Sequence, residues 1–157
     1  MLNYNSVIKN VINQENFSLK EISPVIKINL RGKKREFLTN VGKNLNMILP
    51  TEANTSTTSD KLTAIWLSPD EWMIISKEQA SKDSNKSDLY EMLFNSISKT
   101  NLGAVIDVTD QFVQLELKGE NVYEIFSAGS PYNFNEFKEK KGSTTQTVLN
   151  HVDVILH

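Results

Sequence analysis

Two unbroken apolar runs, Ala64-Ile65-Trp66-Leu67 and Trp72-Met73-Ile74-Ile75, flank the polar tetrapeptide Ser68-Pro69-Asp70-Glu71. Neither run alternates apolar with polar, so the pattern predicts strands covered on both faces. The tetrapeptide suits a β-turn, with Ser at the first position, Pro presetting φ at the second and Asp tolerated at the third. Residues 64–77 therefore read as a buried hairpin that carries both tryptophans of the chain.

Before this hairpin, Val7, Ile8, Val11 and Ile12 recur at one-turn spacing and predict a short amphipathic helix. Phe17, Leu19 and residues 21–24 break that pattern, which leaves residues 1–24 as an N-terminal arm that packs either on the domain or on a partner. Residues 25–30 (VIKINL) alternate and read as a strand stopped by Arg31-Gly32. Phe37, Leu38, Val41, Leu45 and Ile48 mark one face of a helix ended by Pro50. Residues 51–60 lack periodicity and predict a surface loop, and residues 79–86 predict a second.

Asp88 and Glu91 have capping-box-like spacing ahead of a helix with Leu89, Met92, Leu93 and Ile97 on its apolar face. Asn101 and Gly103 are its terminators. A buried-looking strand follows at residues 104–108, then a turn at Thr109-Asp110. The next strand holds Phe112, Val113, Leu115 and Leu117. Val122, Tyr123, Ile125 and Phe126 open a short helix that closes at Gly129-Ser130-Pro131. Residues 144–149 and 152–156 read as strands around Asn150-His151.

This order is β-α-β-β-α-β followed by β-α-β-β. The first six elements have the ferredoxin-like sequence, and the last four begin a second copy. A strand ending Leu30-Arg31-Gly32 precedes the first helix and one ending Leu117-Lys118-Gly119 precedes the third; in each, glycine allows the sharp exit. The expectation is an α+β domain over residues 25–157, with pseudo-repeats at 25–110 and 111–157, mostly antiparallel sheet and helices to one side. Residues 152–156 would form an edge strand wanting a neighbour, as if the second copy lacked a segment.

With 39% hydrophobic residues the chain can fill a core, and at 23% charged it is an ordinary globular composition. The net charge of −2 gives no basic field for nucleic acid or an anionic membrane. No cysteine is present, which removes thiol nucleophiles, disulfides and cysteine-held iron–sulfur clusters. Residues 1–12 lack the charged and apolar regions of a signal peptide, and no run nears the roughly 20 apolar residues of a membrane span, so a cytoplasmic protein is expected.

Chemistry-bearing constellations are sparse. The six glycines form neither GxGxxG nor a phosphate loop, and GxSxG is absent. His151 and His157 would lie roughly 20 Å apart along one strand, too far to share a metal. Asp107 and Asp110 are the best carboxylate pair; the competing reading has Asp110 accepting turn N–H groups while Asp107 helps orient it. Trp66 and Trp72 could stack a pterin or flavin ring, but their spacing better suits one in the core and one at a subunit contact. No catalytic, cofactor-binding or metal residue is assigned.

Several stretches carry a family resemblance in the same order. AIWLSPDEWMII resembles the tryptophan-rich segment of the gamma subunit of heterotetrameric sarcosine oxidase. Residues 30–32 (LRG), 50–55 (PTEANT), 105–119 (VIDVTDQFVQLELKG) and 128–134 (AGSPYNF) extend it across residues 28–157. The resemblance implies the fold of the folate-binding domain of the aminomethyltransferase superfamily. It also implies a non-catalytic chain that packs on alpha, beta and delta subunits, which hold FAD, FMN, NAD and tetrahydrofolate. Sarcosine would be oxidised to glycine in those subunits. Candidate interface residues are Val7, Ile8, Val11, Ile12, Tyr132, Phe134 and Phe137. The alternatives are a stand-alone folate-binding protein of that superfamily and an unrelated α+β adaptor. The iron–sulfur-repair branch of the superfamily is disfavoured because its signature surrounds a cysteine.

Overall fold

The computed structural model describes residues 5–8, 10–79, 88–138 and 140–157. The central hairpin is formed by β5 (Leu62–Ser68) and β6 (Glu71–Gln79). Trp66 pairs across it with Trp72, and the register shifts between Trp66 and Ser68, where one residue bulges before the turn. Ser68 Oγ donates to Asp70 Oδ1 at 2.9 Å and closes the turn. The polar loop expected at residues 79–86 lies, past residue 79, outside the described residues.

Strand β3 (Val25–Arg31) pairs antiparallel with β6 on one side and with β7 (Ala104–Asp107) on the other. A short β4 (Ser56–Thr58) adds to β5, so the five-stranded order is β4-β5-β6-β3-β7. Apart from β4, this is the strand order of a ferredoxin-like unit, and every pairing in it is antiparallel. The loop expected over residues 51–60 thus contains an edge strand: Ser56-Thr57-Thr58 pairs with β5 without supplying an apolar signal.

Helix α1 (Arg35–Leu45) buries Phe37, Val41 and Leu45 on the sheet. It ends at Asn46 rather than Pro50. Asn46 adopts the left-handed conformation (φ 49°), and Met47 N–H donates to the Gly42 carbonyl at 3.2 Å. The chain then runs extended, so Met47 and Leu49 turn inward while Ile48, expected on the helix face, is 82% exposed. Helix α2 (Asp88–Leu93) continues as a π-helical turn over Phe94–Ser98, and Leu93 and Ile97 are fully buried. Asn101 (φ 55°) terminates it as expected.

These helices and the sheet enclose one core that includes Ile28, Leu30, Phe37, Val41, Trp72, Ile74, Leu93 and Ile97. The opposite sheet face is covered too. Ile65, Met73 and Val108 form a second cluster, joined by Leu67, Ile75 and Ile155. Covering both faces explains why the central strands carry unbroken apolar runs. Strand β7 differs, because it is an edge: Val105 is buried but Ile106 is 50% exposed.

The second unit has the expected element order but not one sheet. It comprises β8 (Leu115–Lys118), α3 (Val122–Gly129), α4 (Phe134–Lys138) and the hairpin of β9 (Thr145–Leu149) with β10 (Val152–Leu156). Phe112 and Val113, expected within the strand, precede β8 and are exposed. Among the described residues, strand β10 pairs only with β9, in a two-stranded sheet.

Strand β8 pairs instead with the N-terminal arm. β1 (Ile12–Gln14) and β2 (Phe17–Glu21) form a hairpin, and β2 lies antiparallel on β8. No helix forms around Val7 to Ile12 among the described residues, because β2 captures Ile12 through Leu19 and converts the end of the apolar run into strand. The arm packs back on the domain. By pairing antiparallel with the first strand of its unit, β2 stands in the second unit as β7 does in the first.

Candidate interaction surfaces and buried polar sites

The sheet β1-β2-β8 is two-faced. Its register aligns Ile12 with Leu19, Leu19 with Leu117 and Glu21 with Leu115, so these side chains share one face. The other face carries Ser18, Lys20, Glu116 and Lys118. There Glu116 Oε2 receives Lys20 Nζ and Lys118 Nζ, each at 2.9 Å. Those two ammonium groups hold the Glu116 carboxyl below its ordinary range. On the apolar face, Ile12 and Leu115 are both 44% exposed, and Leu19 and Leu117 are half-buried.

The seven candidate interface residues separate in the structure. Val7 (71% exposed), Val11 and Ile12 are exposed, whereas Ile8 is half-buried. Its N–H and Ser6 Oγ both donate to Glu21 Oε2, at 2.9 and 2.6 Å, tying the start of the arm to β2. Phe134 is a core residue, not a surface one. It is 2% exposed, stacks on Phe126 with ring centroids 5.4 Å apart, and meets Tyr123, Tyr132 and Phe137. Tyr132 and Phe137 are half-buried around it. The aromatic run is therefore the small core that seats α4 on α3, a contact that needed the turn at residues 130–133 to be visible.

The remaining candidates do not converge. Asp107 Oδ1 accepts the Thr109 N–H at 2.9 Å, so Asp107 rather than Asp110 stabilises the turn, and both carboxylates are exposed. His151 is exposed at the tip of the β9–β10 hairpin. His157 Nε2 lies 2.9 Å from Ser56 Oγ, and partial burial lowers its pKa. Trp72 is a core residue whose Nε1–H donates to the Pro50 carbonyl at 2.8 Å; Trp66 is half-buried against the same core. Among the described residues, no three His, Asp or Glu side chains are placed to hold a metal.

One buried charge went unmarked by the sequence pattern. Lys27 sits on β3 facing the second cluster, is 4% exposed, and donates from Nζ to the Val25 carbonyl at 3.3 Å. Burial lowers its pKa, and the charges of Asp110 and Asp107 offset part of that. In a strand reading V-I-K-I-N-L, Lys27 and Asn29 signal a solvated face. The turn that follows β7 lies against it: Thr109 Oγ1 accepts the Lys27 N–H at 3.1 Å, and Val108 N–H donates to the Lys27 carbonyl at 2.9 Å.

An open groove of about 600 Å³ beside the end of α1 is lined by Leu38, Gly42, Met47, Ile48 and Leu49, among others. It gathers no pair of acid, base or nucleophile. Taken together, the described residues form an α+β fold of three mostly antiparallel sheets, one of them two-faced and partly uncovered.

The chain belongs to the sarcosine oxidase gamma subunit family, whose model matches residues 32–156. In fold it is similar to a chain of the heterotetrameric sarcosine oxidase from Corynebacterium sp. U-96, a structure in complex with pyrrole 2-carboxylate. That similarity has a TM-score of 0.77 at 17% sequence identity and covers 92% of this chain and 71% of the other. No curated protein matches the chain. The chain is thus a gamma subunit of a sarcosine oxidase, an oxidoreductase complex with further subunits. No described helix is long and apolar enough to cross a membrane.

Proposed function

We propose that this chain is the non-catalytic packing subunit of its sarcosine oxidase. It holds the assembly by docking on alpha, beta and delta subunits that carry FAD, FMN, NAD and tetrahydrofolate. In those subunits sarcosine is oxidised to glycine and the one-carbon unit passes to tetrahydrofolate or formaldehyde. The observation that carries this reading is the set of exposed apolar side chains in the arm, Val7, Val11 and Ile12, continued by Leu115 on the sheet that the arm joins. Obligate subunits expose such surfaces only until the partner covers them. Tyr132 and Phe137 border a further contact, while Phe134 supports them from beneath. The sequence offers no thiol, and its carboxylates and histidines are dispersed, which favours a structural role. The assembly is proposed to work in the cytoplasm.

Co-expression with the partner subunits tests this. The chain purified alone is expected to be colourless and to form no peroxide from sarcosine. The same chain is expected to co-purify with flavin-bearing partners, and the partners without it are expected to lose their assembled state. Flavin absorbance bound to the isolated chain, or turnover by it, would overturn the reading.

A further inference from the structure

We infer that the apolar face of the β1-β2-β8 sheet is the seat of an amphipathic helix supplied by another subunit of the sarcosine oxidase. This inference rests on the packing role proposed above and specifies its site and occupant.

The molecule carries its own template for the missing cover. In the first unit, Ile28 and Leu30 of β3 lie under α1 and the α2–π segment and are 0% exposed. Each unit's first strand ends in a leucine, a basic residue and glycine before its helix, so Leu117 stands where Leu30 does and Leu115 where Ile28 does. The four residues have the same chemistry and lie at equivalent places, yet Leu115 remains 44% exposed. Ile12 extends the same face to equal exposure across the paired strands. The first unit covers this position with a helix whose Leu89, Leu93 and Ile97 recur at helical spacing. An apolar helix face of that kind is the shape the second unit leaves open.

Charge complementarity narrows the occupant. Glu21 shares the face with Leu115. One of its carboxylate oxygens accepts from Ser6 and Ile8, and the other, Oε1, is buried without a donor among the described residues. A lysine or arginine at one end of the docking helix would supply a donor that the described residues do not, once the arm that ties to Glu21 through Ser6 and Ile8 shifts to uncover the oxygen. The opposite sheet face, with Lys20, Glu116 and Lys118 already paired, offers no comparable demand.

The test uses the co-expressed assembly. Leu115→Lys and Ile12→Lys change exposed positions, so the isolated chain is expected to melt as wild type does. Their association with the partners should fall roughly tenfold or more, as for a central apolar contact. Lys20→Ala, on the paired face, should leave association unchanged, and Glu21→Gln should weaken it and flatten its salt dependence. A photo-crosslinking residue at position 115 should label a helix of a partner subunit. Normal assembly by Leu115→Lys would overturn the inference, as would a crosslink to a strand, to this chain itself or to a second copy of it. A salt dependence unmoved in Glu21→Gln would overturn its charged part. If wild type itself fails to co-purify with the flavin-bearing chains, the packing role falls instead, so the two failures are distinguishable.

Discussion

Trp72 shows how much one side chain can organise. Its indole is buried against Phe37 with ring centroids 5.8 Å apart, and its N–H satisfies a carbonyl of the segment leaving α1. Trp72→Ala is expected to cost roughly 3–5 kcal/mol, from lost burial and a cavity. Trp72→Phe keeps most of the ring but strands the Pro50 carbonyl, a loss of about 1–3 kcal/mol. Urea titrations of the two variants separate packing from the hydrogen bond, and equal losses would contradict this division. Lys27 works in the opposite sense. Its charge is nearly dehydrated, with one carbonyl as direct partner. Lys27→Met is expected to stabilise the chain by roughly 1 kcal/mol near neutral pH. The sign with pH follows from its pKa, which burial lowers below 10.5. Between the folded and unfolded values the unfolded chain binds more protons, so wild-type stability rises as pH climbs through that window. The advantage of Lys27→Met should therefore shrink at alkaline pH, which melts across a pH series would register.

At the scale of elements, the notable arrangement is a strand contributed from the far end of the chain. β2 completes the edge of β8 across almost a hundred residues of intervening sequence. The junction is tight at Gly119, where φ is +129° and an added Cβ would lie 2.1 Å from the Asn16 carbonyl oxygen. Gly119→Ala is therefore expected to destabilise by more than about 1 kcal/mol, because the β1–β2 turn must move away. Faster amide exchange in β2 and β8, with β3 and β6 unaffected, would be its signature. Uniform loss of protection, or none, would argue against a β2–β8 pairing held by this junction. The apolar spacing of Val7, Ile8, Val11 and Ile12 was legible as helix, but a hairpin partner was not. Local periodicity cannot report a strand whose mate lies at residues 115–118.

Across the whole molecule, the two units are unequal. The first has a continuous core with two helices over its sheet. The second splits its strands between two small sheets and leaves Phe112, Val113, Leu115 and Val152 exposed. Regions with fewer buried contacts open at lower free energy. Hydrogen exchange of the isolated chain is expected to protect β3, β5 and β6 most strongly, with β8, β9 and β10 opening earlier. In the assembled oxidase that difference should narrow, since a partner bound only to the folded state stabilises it. Equal protection of both units in the isolated chain would refute this.

The sequence alone determined whatever depends on neighbours along the chain. The hairpin at residues 64–77, the face of α1, the stop at Asn101 and the two Leu-basic-Gly exits into helices all follow from periodicity and turn chemistry. So did the family resemblance, because its motifs are mostly these same structural stretches in order. Tertiary structure decided what depends on distant contact. It turned Phe134 into a core residue, gave Asp107 the turn bond expected of Asp110, buried Lys27 beside the turn at Val108 and Thr109, and handed β8 a partner from the arm. Burial and pairing are properties of surfaces brought together by the fold. A pattern written in one dimension names a face as apolar or polar, but only the packed chain settles what covers it.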